Sequence, residues 1–218
     1  MKSILAGAVV LLMAGPAFAQ GERAFVNGAG GFAVSPDGTS GNILGEVGYH
    51  IVPKLSVFGD FGQFHNLQPS DIQAAVTTST TDASNEGLIV AGEARVPAWY
   101  TVGGLRYELP THRGFKPFVL GGVGFARLTP SAQFTYSSGA LPDGTTTTAG
   151  SDVTSDLLVA GLFVKPPSSN ALMMTFGGGL AIPIAQHVSV DTAYRYSRVN
   201  ADTPVNTQGM TFGIGYRF

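Results

Sequence analysis

The chain contains no cysteine. Zinc fingers, thiol redox chemistry and cysteine nucleophiles are therefore excluded, and stability cannot come from disulfides. Charge is also sparse: 12 basic and 14 acidic residues give no basic excess of the kind nucleic-acid binding needs. No apolar run reaches the roughly 18–20 residues of a membrane-spanning helix, and past the N-terminus no segment shows a clear helical period. Glycine, by contrast, is abundant, at 30 of 218 residues. The glycines sit inside alternating apolar runs such as "GGVGFA" and "TFGGGLAI", where they permit tight curvature or close backbone approach. A strongly bent sheet is implied.

The first residues, "MKSILAGAVVLLMAGPAFAQ", have a charged start at Lys2, an apolar run from Ile4 to Met13, and Ala17-Phe18-Ala19 as a small-residue cleavage site. That pattern predicts a secretory signal peptide over 1–19, leaving 20–218 as one exported domain. Without Lys2 the balance is 11 basic against 14 acidic residues.

The remainder offers eight alternating stretches, at 24–34, 42–51, 55–64, 99–109, 116–128, 171–182, 188–198 and 210–218. Each has about the 9–11 residues that a tilted strand needs to cross a bilayer. Their connections alternate in length. Short proline-bearing turns ("VPK", "PTHRG", "PIAQ") follow the even strands, and longer segments ("SPDGTSG", 65–98, 129–170, "ADTPVNTQG") follow the odd ones. Outer-membrane barrels show this asymmetry between short periplasmic turns and long outer loops, so both termini are expected in the periplasm. The long loops have Thr/Ser-rich tips, and their apolar patches "GLIVAGEARV" and "SDLLVAGLFV" read as strands rising above the membrane. Promoting 131–138 and 155–165 would give ten strands instead of eight.

Period 2 assigns the faces. With the longer apolar side chains outward, Ile43, Val47, Val57, Phe61, Leu105, Val190 and Tyr194 face lipid. The opposite set then turns Glu46, His50, Asp60, Arg106, Glu108, Asp191, Arg195 and Arg217 inward. The fifth stretch is apolar on both faces; placing Phe118, Leu120 and Ala126 outward turns Arg127 inward. Four acids and four arginines would then share the interior, where a buried charge needs a partner. A barrel of eight strands is just wide enough for side chains to fill. Aromatics gather near the strand ends: Tyr49, Tyr107, Phe118, Tyr216 and Phe218 at one level, Phe32, Phe61, Trp99, Tyr196 and Phe212 at the other. Two interfacial girdles are predicted. The fold class is all-β, an eight-stranded antiparallel up-and-down transmembrane β-barrel. A soluble barrel would put its apolar set inside, the reverse of this pattern.

The segments "TVGGLRYELPTHRGFKPFVLGGVGFARL" and "TFGGGLAIPIAQHVSVDTAYRYSR", with the closing "GIGYRF", resemble the OmpA/OmpX-like, opacity-type outer-membrane β-barrel family. The resemblance implies an integral outer-membrane barrel surrounded by outer-membrane lipid and lipopolysaccharide. It also implies that Tyr216 and Phe218 form the C-terminal signal read by the barrel assembly machinery. Some eight-stranded barrels deacylate lipid A with a His-x-Ser near the outer end of the seventh strand. Here Arg195-Tyr196-Ser197 stands at that place, and arginine cannot serve as a general base. His187-Val188-Ser189 lies at the other end of the same strand.

No enzyme, metal or cofactor is expected. His50 reads as part of the polar interior, and His112 as a solvated corner. The loop acids Asp71, Asp82, Glu86, Glu93, Asp143, Asp152 and Asp156 read as a solvated surface, with divalent-cation bridging to lipopolysaccharide as the sharper alternative; no calcium-loop spacing is present. The expected role is envelope structure or surface interaction, with loops 65–98 and 129–170 as the contact surface for an extracellular ligand. A narrow pore is the alternative.

Overall fold

A computed structural model describes residues 23–36, 38–67, 70–111 and 114–218. The proposed signal peptide and His112 lie outside the described residues. Among the described residues ten strands form: β1 (Ala24–Ser35), β2 (Gly38–Val52), β3 (Leu55–Phe64), β4 (Ile89–Arg95), β5 (Ala98–Glu108), β6 (Lys116–Leu128), β7 (Ser131–Ser138), β8 (Ser169–Pro183), β9 (Val188–Asn200) and β10 (Val205–Arg217). Eight of them close into a barrel in the order β1-β10-β9-β8-β6-β5-β3-β2, and β4 and β7 make a separate two-stranded sheet. All barrel pairs are antiparallel. The terminal strands close the ring, from Phe25 opposite Arg217 to Val34 opposite Gln208. No barrel edge is left open, so the wall needs no water to satisfy its backbone.

The alternation of burial follows the alternation of sequence. Ile43, Phe61, Phe125, Phe176, Phe212 and Ile214 on the outer wall are all more than half exposed. The lumen is filled from within by Phe25, Phe58, Phe64, Tyr100, Phe118 and Met173. Glycine makes that filling possible. A methyl group at Gly48 would overlap the Phe25 ring, and one at Gly62 would overlap Tyr100. The small residue on one strand is the seat of the large ring on another.

Two expected loops are strand. Ser35 pairs with Gly38, and Gly38–Gly41 extend β2 into the expected first loop. Likewise Val205–Gly209 belong to β10, and only 201–204 connect it to β9.

The other two connections build a small folded module at this loop end. β4 and β7 continue the β5–β6 ribbon outward past Pro97 and Pro130, and the Thr129 amide donates to the Pro97 carbonyl at the break (3.0 Å). Helix α1 (Ser70–Asn85) covers β4, and a one-and-a-half-turn helix α2 (Thr154–Val159) lies beside β7. The fold class is all-β as expected, but the two helices correct the expectation that no segment past the N-terminus is helical, and α2 takes 155–159 of the stretch 155–165 that reads as a strand.

Each helix has local causes. α1 buries Ile72, Val76, Ser79 and Ala83, a stripe with helical spacing in which two members are small and one is polar. It ends at Gly87 (φ +83°), with the Gly87 amide donating to Ser84 and the Leu88 amide to Ala83, the paired bonds of a glycine-terminated helix. α2 begins where the Asp152 carboxylate accepts from the Thr154 amide (2.9 Å) and hydroxyl (2.6 Å). It ends at Gly161 (φ +75°) with Leu162 donating back to Leu157. The module has its own core of Leu88, Val96, Phe134, Leu157 and Phe163, each 3% exposed or less. The Phe134 and Phe163 rings meet edge to face at 5.0 Å.

Candidate functional site

The charges inside the barrel form a connected cluster. Glu46 on β2 is 1% exposed and accepts from two arginines at once. Arg106 Nη1 reaches its Oε1 at 2.6 Å, and Arg195 Nη2 reaches its Oε2 at 2.6 Å. Arg195 also donates to Asp60, and Arg106 to Asp191 at 3.4 Å. Ser189 holds the other Asp191 oxygen at 2.6 Å. Strands β2, β3, β5 and β9 are thereby tied across the lumen, through residues far apart in sequence.

A second cluster lies toward the termini. Arg217 donates to Glu108 at 3.1 Å, and His50 Nε2 stands 3.8 Å from the same carboxylate. Lys116, on the inward face of β6, acts electrostatically on Glu108. Between the clusters the Arg106 guanidinium is held 3.6 Å from the Phe118 ring centre and 4.9 Å from that of Phe25. A desolvated cation over an aromatic face gains about 2 kcal/mol. On the loop side of the cluster, Asp60, Asn42, Tyr100, Thr175 and Ser197 line a void of about 10 Å³, room for roughly one water molecule.

Arg127 departs from the expectation. It is exposed on the outer wall, and Phe118, Leu120 and Ala126 are buried at 6% exposure or less. The facing of β6 is therefore the reverse of the expected one, and Phe118 leaves the girdle for the lumen. The physical reason is the Arg106 cation, which takes the Phe118 face as its partner, while Val119, Val123 and Phe125 supply an equally apolar outer face. Lys116 replaces Arg127 as the fourth interior base. No preference within β6 could reveal this. The available signal is the charge at the other end of the strand, because Lys116, Phe118 and Leu120 share parity.

His187 Nδ1 contacts the Arg217 carbonyl oxygen at 3.1 Å, and the Ser189 hydroxyl is given to Asp191. The His-x-Ser pair is thus divided between two other partners. In the module, Glu93 pairs with Arg95 at 3.1 Å. Hydrogen bonds from Thr145 hold the Asp143 carboxyl below its ordinary range, and those from Thr154 do the same for Asp152. No group of three or more metal-ligating side chains occurs among the described residues. At the junction of module and barrel, Ile72, Val96, Leu128, Pro130, Pro166 and Pro167 line an apolar groove of about 190 Å³. At the strand ends near the termini, Phe218 donates its amide to Ala24 at 2.9 Å, and its ring meets Tyr216 at 4.9 Å.

A closed antiparallel barrel with a lipid-compatible wall and a charged, ring-filled lumen defines a bilayer-spanning outer-membrane protein. Residues 5–218 match the family model "Outer membrane protein beta-barrel domain", and the chain belongs to that family, whose place is the outer membrane. Among solved structures it is similar to the Neisserial surface protein A (NspA), at 15% identity and TM-score 0.52, covering 89% of this chain and 96% of that one. It is also similar to a major outer membrane protein from Thermus thermophilus, at 12% identity and TM-score 0.51, covering 89% of this chain and 99% of that one. At these identities the likeness concerns the fold. No curated protein sequence matches the chain.

Proposed function

We propose that the barrel is a closed anchor and that the protein acts through its loop-end module, making contacts at the cell surface. The observation that carries this reading is the module's own core: the two long connections fold onto one another around Phe134, Leu157 and Val96. A rigid scaffold presenting a shaped outer surface is the arrangement in which binding residues concentrate. The lumen supports the anchor reading, since ion pairs and rings span it at the charged clusters and the void beside them is only about 10 Å³. A porin-like channel and a lipid A-modifying enzyme are the readings set aside.

In this reading residues 1–19 are removed on export, residues 20–218 form the barrel domain, and both termini are periplasmic. Short turns at the terminal end and the elaborated module at the other support that orientation. Tyr216 and Phe218 serve as the assembly signal. The interior residues Glu46, Asp60, Arg106, Glu108, Asp191, Arg195, Arg217 and His50 serve stability, not chemistry. The test is adhesion of cells producing the full chain, against cells producing a barrel with 68–94 and 131–166 replaced by short linkers. Loss of binding to a host or neighbouring-cell surface with the barrel still heat-modifiable supports the reading. Equal binding by the trimmed barrel overturns it.

A further inference from the structure

At the loop end of the outer wall, β6 and β9 each carry an outward arginine, with β8 between them. Arg127 stands opposite Asn170, and Arg198 opposite Met174, four residues further along β8. On sheet geometry their Cα atoms are roughly 16 Å apart. Leu172, 40% exposed, projects from β8 between them, and Phe125, 64% exposed, lies two residues from Arg127 toward mid-wall. Arg198 Nε donates to Asn200 at 2.9 Å, which orients its guanidinium. Among the described residues neither arginine has a carboxylate partner, whereas Arg106, Arg195 and Arg217 inside are all paired.

A wall arginine is costly at mid-bilayer and far less so at the interface, so these two belong at headgroup depth. The guanidinium fork matches a phosphate. We propose that Arg127 and Arg198 bind the phosphorylated sugar headgroup of an outer-leaflet glycolipid, lipopolysaccharide, with its acyl chains over Leu172 and Phe125. The spacing selects the source. A glycerophospholipid with one phosphate, such as phosphatidylglycerol, meets one arginine, whereas an acylated disaccharide with a phosphate at either end reaches both. The site rests on the reading that the loop end faces the outer leaflet.

The test uses the full chain refolded in detergent and titrated, under native mass spectrometry, with bisphosphoryl lipid A, monophosphoryl lipid A and phosphatidylglycerol. Bisphosphoryl lipid A is expected to bind at least tenfold more tightly than the other two. Arg127→Gln or Arg198→Gln should each lower it to about the monophosphoryl level, removing the preference, and the double variant should weaken binding further. Arg95→Gln, in the module, should change nothing. Both arginines are exposed, so the variants should keep the normal heat-dependent gel shift. An unchanged preference in the double variant overturns the site, and equal binding of phosphatidylglycerol overturns the glycolipid assignment. Orientation is read separately, by labelling Thr146→Cys on intact cells with an impermeant maleimide. No labelling alongside the lipid A preference would overturn the outer-leaflet placement while leaving the two-phosphate site standing.

Discussion

The Arg106 guanidinium lies 3.6 Å from the centre of the Phe118 ring, a contact inside the lumen between neighbouring strands β5 and β6. The cation is paired with Glu46 at 2.6 Å and Asp191 at 3.4 Å while also lying over the aromatic face. That arrangement couples the charged cluster to the apolar filling, so neither can be removed without disturbing the other.

Arg106→Ala should be among the most damaging single changes in the barrel. It strips Glu46 of one partner and Asp191 of its arginine, and breaking a buried pair from one side costs about 3–5 kcal/mol. Arg127→Ala, on the outer wall, should stay within about 0.5 kcal/mol of the parent. Urea midpoints of refolded protein read both. A similar loss for the two would remove the distinction between inner and outer arginines.

Glu46 and Arg195 should be strongly coupled. A double-mutant cycle with Glu46→Gln and Arg195→Met should return a coupling of about 1–3 kcal/mol, because Arg195 also serves Asp60 and Glu46 also serves Arg106. Strict additivity of the two changes would show that the ion pair at 2.6 Å is not formed in the membrane.

Much of this cluster is legible in the sequence, and the reason is the bilayer. A charge on the lipid face is expensive, so Glu46, Asp60, Arg106, Glu108, Asp191, Arg195 and Arg217 fall on one parity wherever the other parity is clearly apolar. β6 defeats the same rule because Phe118 and Phe125 sit on opposite parities, and its facing is decided by a cation on β5. Helix α1 escapes for a different reason. Its buried stripe ends in Ser79 and Ala83, and its threonines have weak helix propensity. Thr77 and Thr81 instead donate their hydroxyls to carbonyls one turn back, at 2.9 Å each. Helix α2 leaves a visible trace, Asp152-x-Thr154 before the apolar run and Gly161 after it, but the β-branched, apolar composition outweighs it.

The module should be able to open without the barrel. Gly87→Val places a β-branched residue at φ +83°, a conformation costing roughly 1–2 kcal/mol off glycine. Amide exchange in α1 and β4 should speed up while β9 and β10 keep their protection. Uniform loss of protection across both would show that module and barrel unfold as one unit.

The start of α2 should be acid-sensitive in a defined direction. Thr154 holds the Asp152 carboxyl below its ordinary value of 3.8, so the folded state favours the ionised form. Its contribution is complete above the ordinary value and is lost as pH falls through the lowered one. Amide protection in α2 should be level from neutral pH to about pH 4 and fall below that. Asp152→Asn, which still accepts the Thr154 amide, should flatten the profile. A profile in the variant identical to the parent's would assign the acid response elsewhere.

Single-channel recording in planar bilayers is the most direct test of the closed anchor, using purified full chain with its folded state verified by gel shift. With Arg106, Arg195 and Glu46 joined across the lumen and Phe118 beneath them, no sustained conductance steps should appear at moderate voltage. Regular, long-lived steps from the intact protein would contradict a closed lumen and return the porin-like reading.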